Sequence, residues 1–99
     1  ISTPKLDCEL VKEIHETAGV PIVMHGGSGV SAEDYHKCIA NGVRKINYYT
    51  YMAKAGGEAV RAQMPAEGIV YYHDLATIGK QAMKANVKQA IRLFRNEVI

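Results

Sequence analysis

Two groups of polar residues that could do chemistry follow short apolar segments in this 99-residue sequence. The first group is a histidine followed by a glycine-rich turn: His25, Gly26, Gly27, Ser28 and Gly29. Glycines let a ligand approach the backbone closely, and consecutive amides in such a turn can hold an anion. The Ser28 hydroxyl can add a donor. The turn therefore indicates a phosphate site, and a purely structural turn is the alternative.

His25 is also a candidate metal ligand. A neutral imidazole is a common ligand of Zn²⁺, and catalytic zinc sites usually take three protein ligands and leave one position open. One histidine does not make such a site. A hydrogen-bonded histidine at a strand end is the alternative interpretation.

The second group consists of Asn47, Tyr49 and Thr50. Asn47 offers an amide and Thr50 a hydroxyl, while a turn residue and a helix N-cap are the structural alternatives for these two positions. Parallel strands place their carboxyl ends on one rim, where barrel enzymes commonly hold phosphate. If both apolar segments are parallel strands, His25, Asn47 and Thr50 contribute to one composite site.

The elements that would position these groups alternate between helix and strand. Continuous apolar runs are typical of strands covered on both faces, and their alternation with helices predicts a parallel α/β sheet. The sequence predicts helices over about 7–18, 31–41, 50–64 and 73–97, and strands over 20–24 and 43–48. Two strands cannot make a sheet that is buried on both faces, so we expect part of a larger fold.

Composition excludes several other classes. The chain is 47% hydrophobic and 22% charged, which is typical of a globular protein rather than a disordered one. A net charge of +2 does not indicate a nucleic-acid partner. No apolar run is long enough to span a membrane, and no signal peptide is apparent. Cys8 and Cys38 form neither a zinc-finger pattern nor a disulfide framework, which favours a reducing cytoplasm.

Residues 21–30, residues 42–47 and Thr50 together resemble the C-terminal part of class II fructose-bisphosphate aldolases. The HGGSG block and the later K-[IV]-N-x-x-T pattern carry the resemblance, which covers residues 4–62 and, more loosely, the final helix. It implies an α/β fold, namely the C-terminal portion of a (β/α)₈ TIM barrel. Residues 1–99 would form about its last two β/α units, as one domain fragment that is incomplete on its own.

The activity that the resemblance implies is reversible aldol cleavage of fructose 1,6-bisphosphate or tagatose 1,6-bisphosphate. The products would be dihydroxyacetone phosphate and glyceraldehyde 3-phosphate. His25 matches a zinc ligand, and Asn47 matches a catalytic residue that contacts the substrate beside the reacting carbons. The residues that match the phosphate-binding positions are Gly26, Gly27, Ser28 and Thr50. Tyr49 stands where most members have a short polar residue, and it is a candidate contact.

The resemblance also places the catalytic aspartate and the remaining zinc ligands upstream of this chain, so the 99 residues alone should be inactive. We expect Zn²⁺ as cofactor, with room for a monovalent cation, and a cytoplasmic homodimer or larger assembly. His36 and His73 do not match the ligands, and both are predicted to be exposed surface residues, as is His15 on the first predicted helix. Two alternatives are a non-catalytic phosphosugar-binding or structural barrel fragment, and another phosphate-binding barrel enzyme without metal.

Overall fold

The computed structural model describes residues 5–25, 29–65, 68 and 71–95. In these ranges helices and strands alternate in the predicted order: α1 (Cys8–Ala18), β1 (Ile22–Met24), α2 (Ala32–Ala40), β2 (Val43–Ile46), α3 (Thr50–Gln63) and α4 (Tyr72–Phe94). Both strands are shorter than predicted, and the predicted end of the last helix lies outside the described residues. Among the helices described, none combines the length and apolar character needed to cross a bilayer.

The chain packs as two compact units. The first runs to Tyr48 and includes the chain from Arg92 onward, and the second runs from Tyr49 to Ile91. That residues 1–99 belong to one domain stays a prediction.

In the first unit, β1 and β2 pair in parallel, which confirms the predicted α/β class. Ile22 is opposite Val43 and Met24 is opposite Ile46, with one irregularity between Ile22 and Val23. The core beside this sheet contains Tyr35, Cys38 and Val43. The first two, three residues apart in sequence, form the buried side of α2.

Local signals in the sequence fix the ends of α1 and α2. Asp7 Oδ1 accepts the Leu10 N–H at 3.0 Å, and Ser31 Oγ accepts the Asp34 N–H at 3.2 Å, as expected of N-cap residues. Gly19 ends α1 with a left-handed φ of 69°. Ser31 thus starts α2 just after the glycine-rich turn.

The prediction that His15 and His36 are exposed surface residues is wrong. Both are partly buried. His15 Nδ1 donates to the Val20 carbonyl at 2.9 Å, and His36 Nε2 donates to the Leu93 carbonyl at 2.9 Å. The His15 ring packs against Gly42, where a Cβ would lie 2.5 Å from its Cγ, and the bond of His36 reaches a residue 57 positions away in the sequence. His73 is exposed, as predicted.

The second unit consists of α3 and most of α4. Glycine lowers helix propensity, yet α3 is uninterrupted through Gly56 and Gly57. Gly56 is buried, and a Cβ there would lie 2.8 Å from Met83 Cγ of α4. The glycine therefore lets the two helices approach closely. Within α4, Ala90 is buried and its neighbour Ile91 is half-exposed.

Candidate active site

Parallel pairing places His25 and Asn47 side by side. Each residue directly follows its strand, and the strands end at the paired residues Met24 and Ile46. The Asn47 backbone N–H donates to the Met24 carbonyl at 3.1 Å, which extends the ladder by one residue. The sheet therefore brings together two of the residues that the sequence singled out.

The side chains of His25 and Asn47 are in contact. Asn47 Nδ2 lies 2.8 Å from His25 Nδ1 and 3.4 Å from His25 Nε2. The amide nitrogen can only donate, so Nδ1 is the acceptor and a neutral ring carries its proton on Nε2. Both residues are exposed, so a ligand can reach them.

Lys45 is a further member of the site, to which the sequence analysis gave no role. Its Nζ donates to Asn47 Oδ1, while Asn47 Nδ2 faces His25. Residues two apart on a strand point to the same face, so the alternation of β2 could have identified Lys45 from the sequence. The ammonium group fixes the Asn47 amide with its NH₂ group toward the imidazole.

Gly26, Gly27 and Ser28 lie outside the described residues, and their phosphate-binding roles stay predictions. The residue that follows them, Gly29, has a left-handed φ of 86°, a conformation that glycine adopts at low cost.

Tyr49 and Thr50 belong to the second unit. Thr50 is the first residue of α3, so the alternative that made it the N-cap is wrong: Tyr49 occupies that position and makes no side-chain cap bond. The Tyr49 side chain is exposed. Contact of either residue with a substrate stays a prediction.

The described residues do not supply a complete set of metal ligands. Within residues 5–25, 29–65, 68 and 71–95, no group of three or more His, Cys, Asp or Glu side chains could hold a metal ion. Neutral histidine is a common zinc ligand, and the exposed imidazole of His25 fits one ligand position once the Asn47–His25 bond breaks, because the ring's one lone pair accepts from Asn47 here. A complete site of three protein ligands needs other residues.

Comparison with known proteins identifies the family. The family described as "Fructose-bisphosphate aldolase class-II" matches residues 1–97. The chain belongs to this class II aldolase family, which confirms the resemblance seen in the sequence. The family's aldolases are carbon–carbon lyases.

Curated relatives carry several aldolase names. The chain is 39% identical over 93 residues to 6-phospho-5-dehydro-2-deoxy-D-gluconate aldolase of Halalkalibacterium halodurans, covering 93% of the chain and 32% of the relative. It is 36% identical over 92 residues to fructose-bisphosphate aldolase of Staphylococcus epidermidis, covering 92% and 32%. It is 36% identical over 96 residues to sulfofructosephosphate aldolase of Alkalicoccus urumqiensis, covering 95% and 33%.

A solved structure has the same fold. The crystal structure of the YdjI aldolase from Escherichia coli K12 matches with a TM-score of 0.82 and 32% sequence identity, covering 92% of this chain and 34% of that one. The chain spans about a third of the length of the relatives it matches.

Proposed function

We propose that the protein carrying this chain is a zinc-dependent class II ketose-bisphosphate aldolase. Residues 1–99 would form about the last two β/α units of its (β/α)₈ barrel. The reaction is reversible cleavage of fructose or tagatose 1,6-bisphosphate to dihydroxyacetone phosphate and glyceraldehyde 3-phosphate. The observation that carries the proposal is the contact between Asn47 and His25 at the carboxyl ends of parallel strands, the rim at which barrel enzymes hold substrate.

In this proposal His25 is one zinc ligand, and the other ligands and the aspartate general acid/base lie upstream. Bound Zn²⁺ supplies Lewis acidity that polarises the ketone carbonyl. With the imidazole lone pair used by zinc, the Asn47 NH₂ group would no longer bond to His25. Lys45 holds the Asn47 oxygen, so the freed NH₂ group can donate to a substrate oxygen held beside that histidine.

The phosphate groups of the substrate are assigned to the two loops. Backbone amides of the glycine-rich turn and the Ser28 hydroxyl bind one phosphate, as consecutive amides in such turns do. The residues of this cradle are Gly26, Gly27 and Ser28. The Thr50 hydroxyl binds phosphate as well, and the Tyr49 phenol is a neighbouring contact. The assembly is proposed to be a cytoplasmic homodimer or larger.

The test is zinc content and aldol cleavage in the intact purified protein. His25→Ala should remove zinc and activity together, because the variant loses a ligand. Thr50→Val should raise KM and leave zinc bound. His73→Ala replaces an exposed histidine and is the control, with both properties unchanged. Full zinc stoichiometry in His25→Ala would contradict the ligand assignment.

The substrate panel should extend beyond the two ketose bisphosphates. Relatives at similar identity are named for 6-phospho-5-dehydro-2-deoxy-D-gluconate and for sulfofructosephosphate. Cleavage of one of these, with neither ketose bisphosphate turned over, would retain the aldolase class and overturn the substrate assignment.

A second candidate function is phosphosugar binding without catalysis. The described residues supply one candidate ligand, His25, and no group of three metal-ligating side chains, so metal chemistry depends on residues outside this chain, whereas phosphosugar binding does not. Calorimetric binding of a ketose bisphosphate to the intact, zinc-supplemented protein without turnover would support it. Turnover that a chelator abolishes and Zn²⁺ restores would exclude it.

A further inference from the structure

Two thiols that the proposed site does not use lie in contact. Cys8 is the first residue of α1, Cys38 lies near the end of α2, and their Sγ atoms are 3.3 Å apart. Asn41 Nδ2 also donates to the Cys8 carbonyl at 2.7 Å. The start of α1 is therefore held on α2 by its backbone as well as by its side chain.

The two sulfur atoms differ in access. Cys38 is fully buried, with 0% of its surface exposed, whereas Cys8 is partly exposed. An open groove lined by Lys5, Asp34 and Lys37, among others, reaches Cys8. A small reagent from solvent therefore meets Cys8 first.

Burial of Cys38 keeps its thiol protonated at neutral pH, since it raises the thiol pKa. Burial raises the pKa of the Cys38 thiol to about 12, and its hydrogen bond with Cys8 acts in the same direction. Cys8 Sγ donates to the Asp34 carbonyl at 3.9 Å, which leaves Cys38 as the donor between the two sulfur atoms, and the two atoms that a disulfide would join already touch.

We propose that Cys8 and Cys38 form an oxidation site at which hydrogen peroxide converts the two thiols into a disulfide between α1 and α2. The Cys8 sulfur attacks one peroxide oxygen, forming an S–O bond and breaking the O–O bond. The hydroxide that leaves takes the Cys8 thiol proton and becomes water. This step gives a sulfenic acid at Cys8.

The Cys38 sulfur then attacks the Cys8 sulfur. The raised pKa of Cys38 slows this step, because the thiolate is the reactive form, and the 3.3 Å contact between the two sulfur atoms favours it. The S–S bond forms, the S–O bond breaks, and the departing hydroxide takes the Cys38 thiol proton as a second water. The two sulfur atoms have given two electrons to the peroxide. A dithiol reductant reverses the change by thiol–disulfide exchange.

The disulfide closes the chain from residue 8 to residue 38, a loop that contains β1 and His25. A crosslink of this kind restricts the unfolded chain, so the oxidised protein should be more resistant to unfolding. This inference is independent of the proposed aldolase activity, because neither cysteine takes part in that site.

The experiment treats the intact protein with hydrogen peroxide, alkylates free thiols after unfolding, and digests with trypsin without reductant. Cleavage after Lys5, Lys12, Lys37 and Arg44 places the two cysteines in separate peptides, residues 6–12 and 38–44. The expected product is this peptide pair joined, two hydrogens below the sum of the separate masses, with a melting temperature that rises on oxidation and returns with dithiothreitol.

Two variants sharpen the test. In Cys8→Ser, which changes a partly exposed residue, the same peroxide dose should leave Cys38 reduced, because Cys38 is buried. In Cys38→Ala, Cys8 should stop at sulfenic acid, which dimedone traps. Recovery of both wild-type peptides alkylated would overturn the proposal. So would Cys8 as sulfinic acid beside an alkylated Cys38, or a disulfide that joins two protein molecules.

Discussion

Two neighbours, Lys45 and His25, fix the orientation of the Asn47 side-chain amide. An amide can turn over and exchange its oxygen and nitrogen, and an isolated Asn47 would present either atom to a ligand. The Lys45 ammonium can only donate, so it bonds to the Asn47 oxygen and the NH₂ group remains toward His25. Lys45 therefore acts on the site through Asn47.

We predict that Lys45→Met lowers kcat/KM for the substrate by roughly tenfold, because a hydrogen bond to a charged group contributes about 1.5 kcal/mol. Zinc content should be unchanged, and Lys45→Arg should restore most of the activity. Steady-state kinetics with metal analysis measure both. Lys54→Met removes an exposed lysine of α3 and is the control. Equal kinetics for Lys45→Met and the wild type would refute the positioning role.

Cys38 carries a second prediction at this scale, one of pH dependence. Its pKa rises from 9.0 to about 12 on folding through burial, with Cys8 of α1 and Asp34 of α2 as the neighbouring groups. The folded state then holds more protons than the unfolded state between these values. The stability this provides is complete below pH 9.0 and is lost as pH rises toward about 12, by up to about 1.4 kcal/mol per pH unit.

Urea unfolding of the reduced protein at about pH 8 and about pH 10.5 measures this slope. Lysines and tyrosines also titrate there, so the quantity of interest is the difference between the wild type and Cys38→Ala. The variant should be less stable at both pH values and should lose less on going to the higher one. Parallel losses in the two proteins would show that Cys38 does not titrate as described.

At the residue scale, the sequence predicts side-chain contacts that follow from the direction of the strands. It does not predict contacts that depend on tertiary packing. His25 and Asn47 each follow a strand, so parallel pairing alone brings them together. His36 bonds to the carbonyl of Leu93, 57 positions along the chain, and nothing in the local pattern shows that this carbonyl will lie near.

At the scale of elements, α3 shows how packing outweighs helix propensity. The two consecutive glycines, Gly56 and Gly57, predict a weak helix, yet α3 runs unbroken from Thr50 to Gln63. Gly56 lies against α4, where a side chain would meet Met83, and Gly57 has open space around it. The propensity cost at Gly56 is therefore offset by close helix contact, which a propensity scale does not contain.

Alanine substitutions at these two neighbouring glycines should thus change the free energy of unfolding in opposite directions. Gly57→Ala should stabilise the protein by about 0.5–1 kcal/mol, because alanine favours the helix and meets no atom within 4 Å. Gly56→Ala should destabilise it by about 1–3 kcal/mol, because its Cβ would lie 2.8 Å from Met83 Cγ. Chemical denaturation of both variants measures the effects. A shift of the same sign in both would contradict the close-contact argument.

At the scale of the whole molecule, the two strands have one covered face and one open face. Ile22 and Met24 are partly buried, while Val23 between them is 46% exposed and lies opposite Lys45. The continuous apolar run of residues 20–24 predicted cover on both faces, and the described residues of the first unit supply it on one. In a closed barrel the second face is packed by side chains from the other strands. His25 and Asn47 belong to that same open face by strand alternation.

This face gives a direct test of the proposed barrel. Val23→Thr keeps the side chain's shape and strand preference but adds a hydroxyl. Burying that hydroxyl without a partner costs about 1–3 kcal/mol, whereas an exposed one changes stability by less than about 0.5 kcal/mol. We therefore expect Val23→Thr to destabilise the intact protein by the larger amount in denaturant unfolding.

Val20→Thr makes the same chemical change at a residue that is 53% exposed and lies outside β1. It should leave the free energy of unfolding within about 0.5 kcal/mol of the wild type. If the two variants unfold at the same denaturant concentration, the face that carries Val23 is open to solvent in the intact protein. The β1–β2 pair would then not be part of a closed barrel, and a substrate site at the carboxyl ends of these strands would lose the enclosing wall that the aldolase proposal requires.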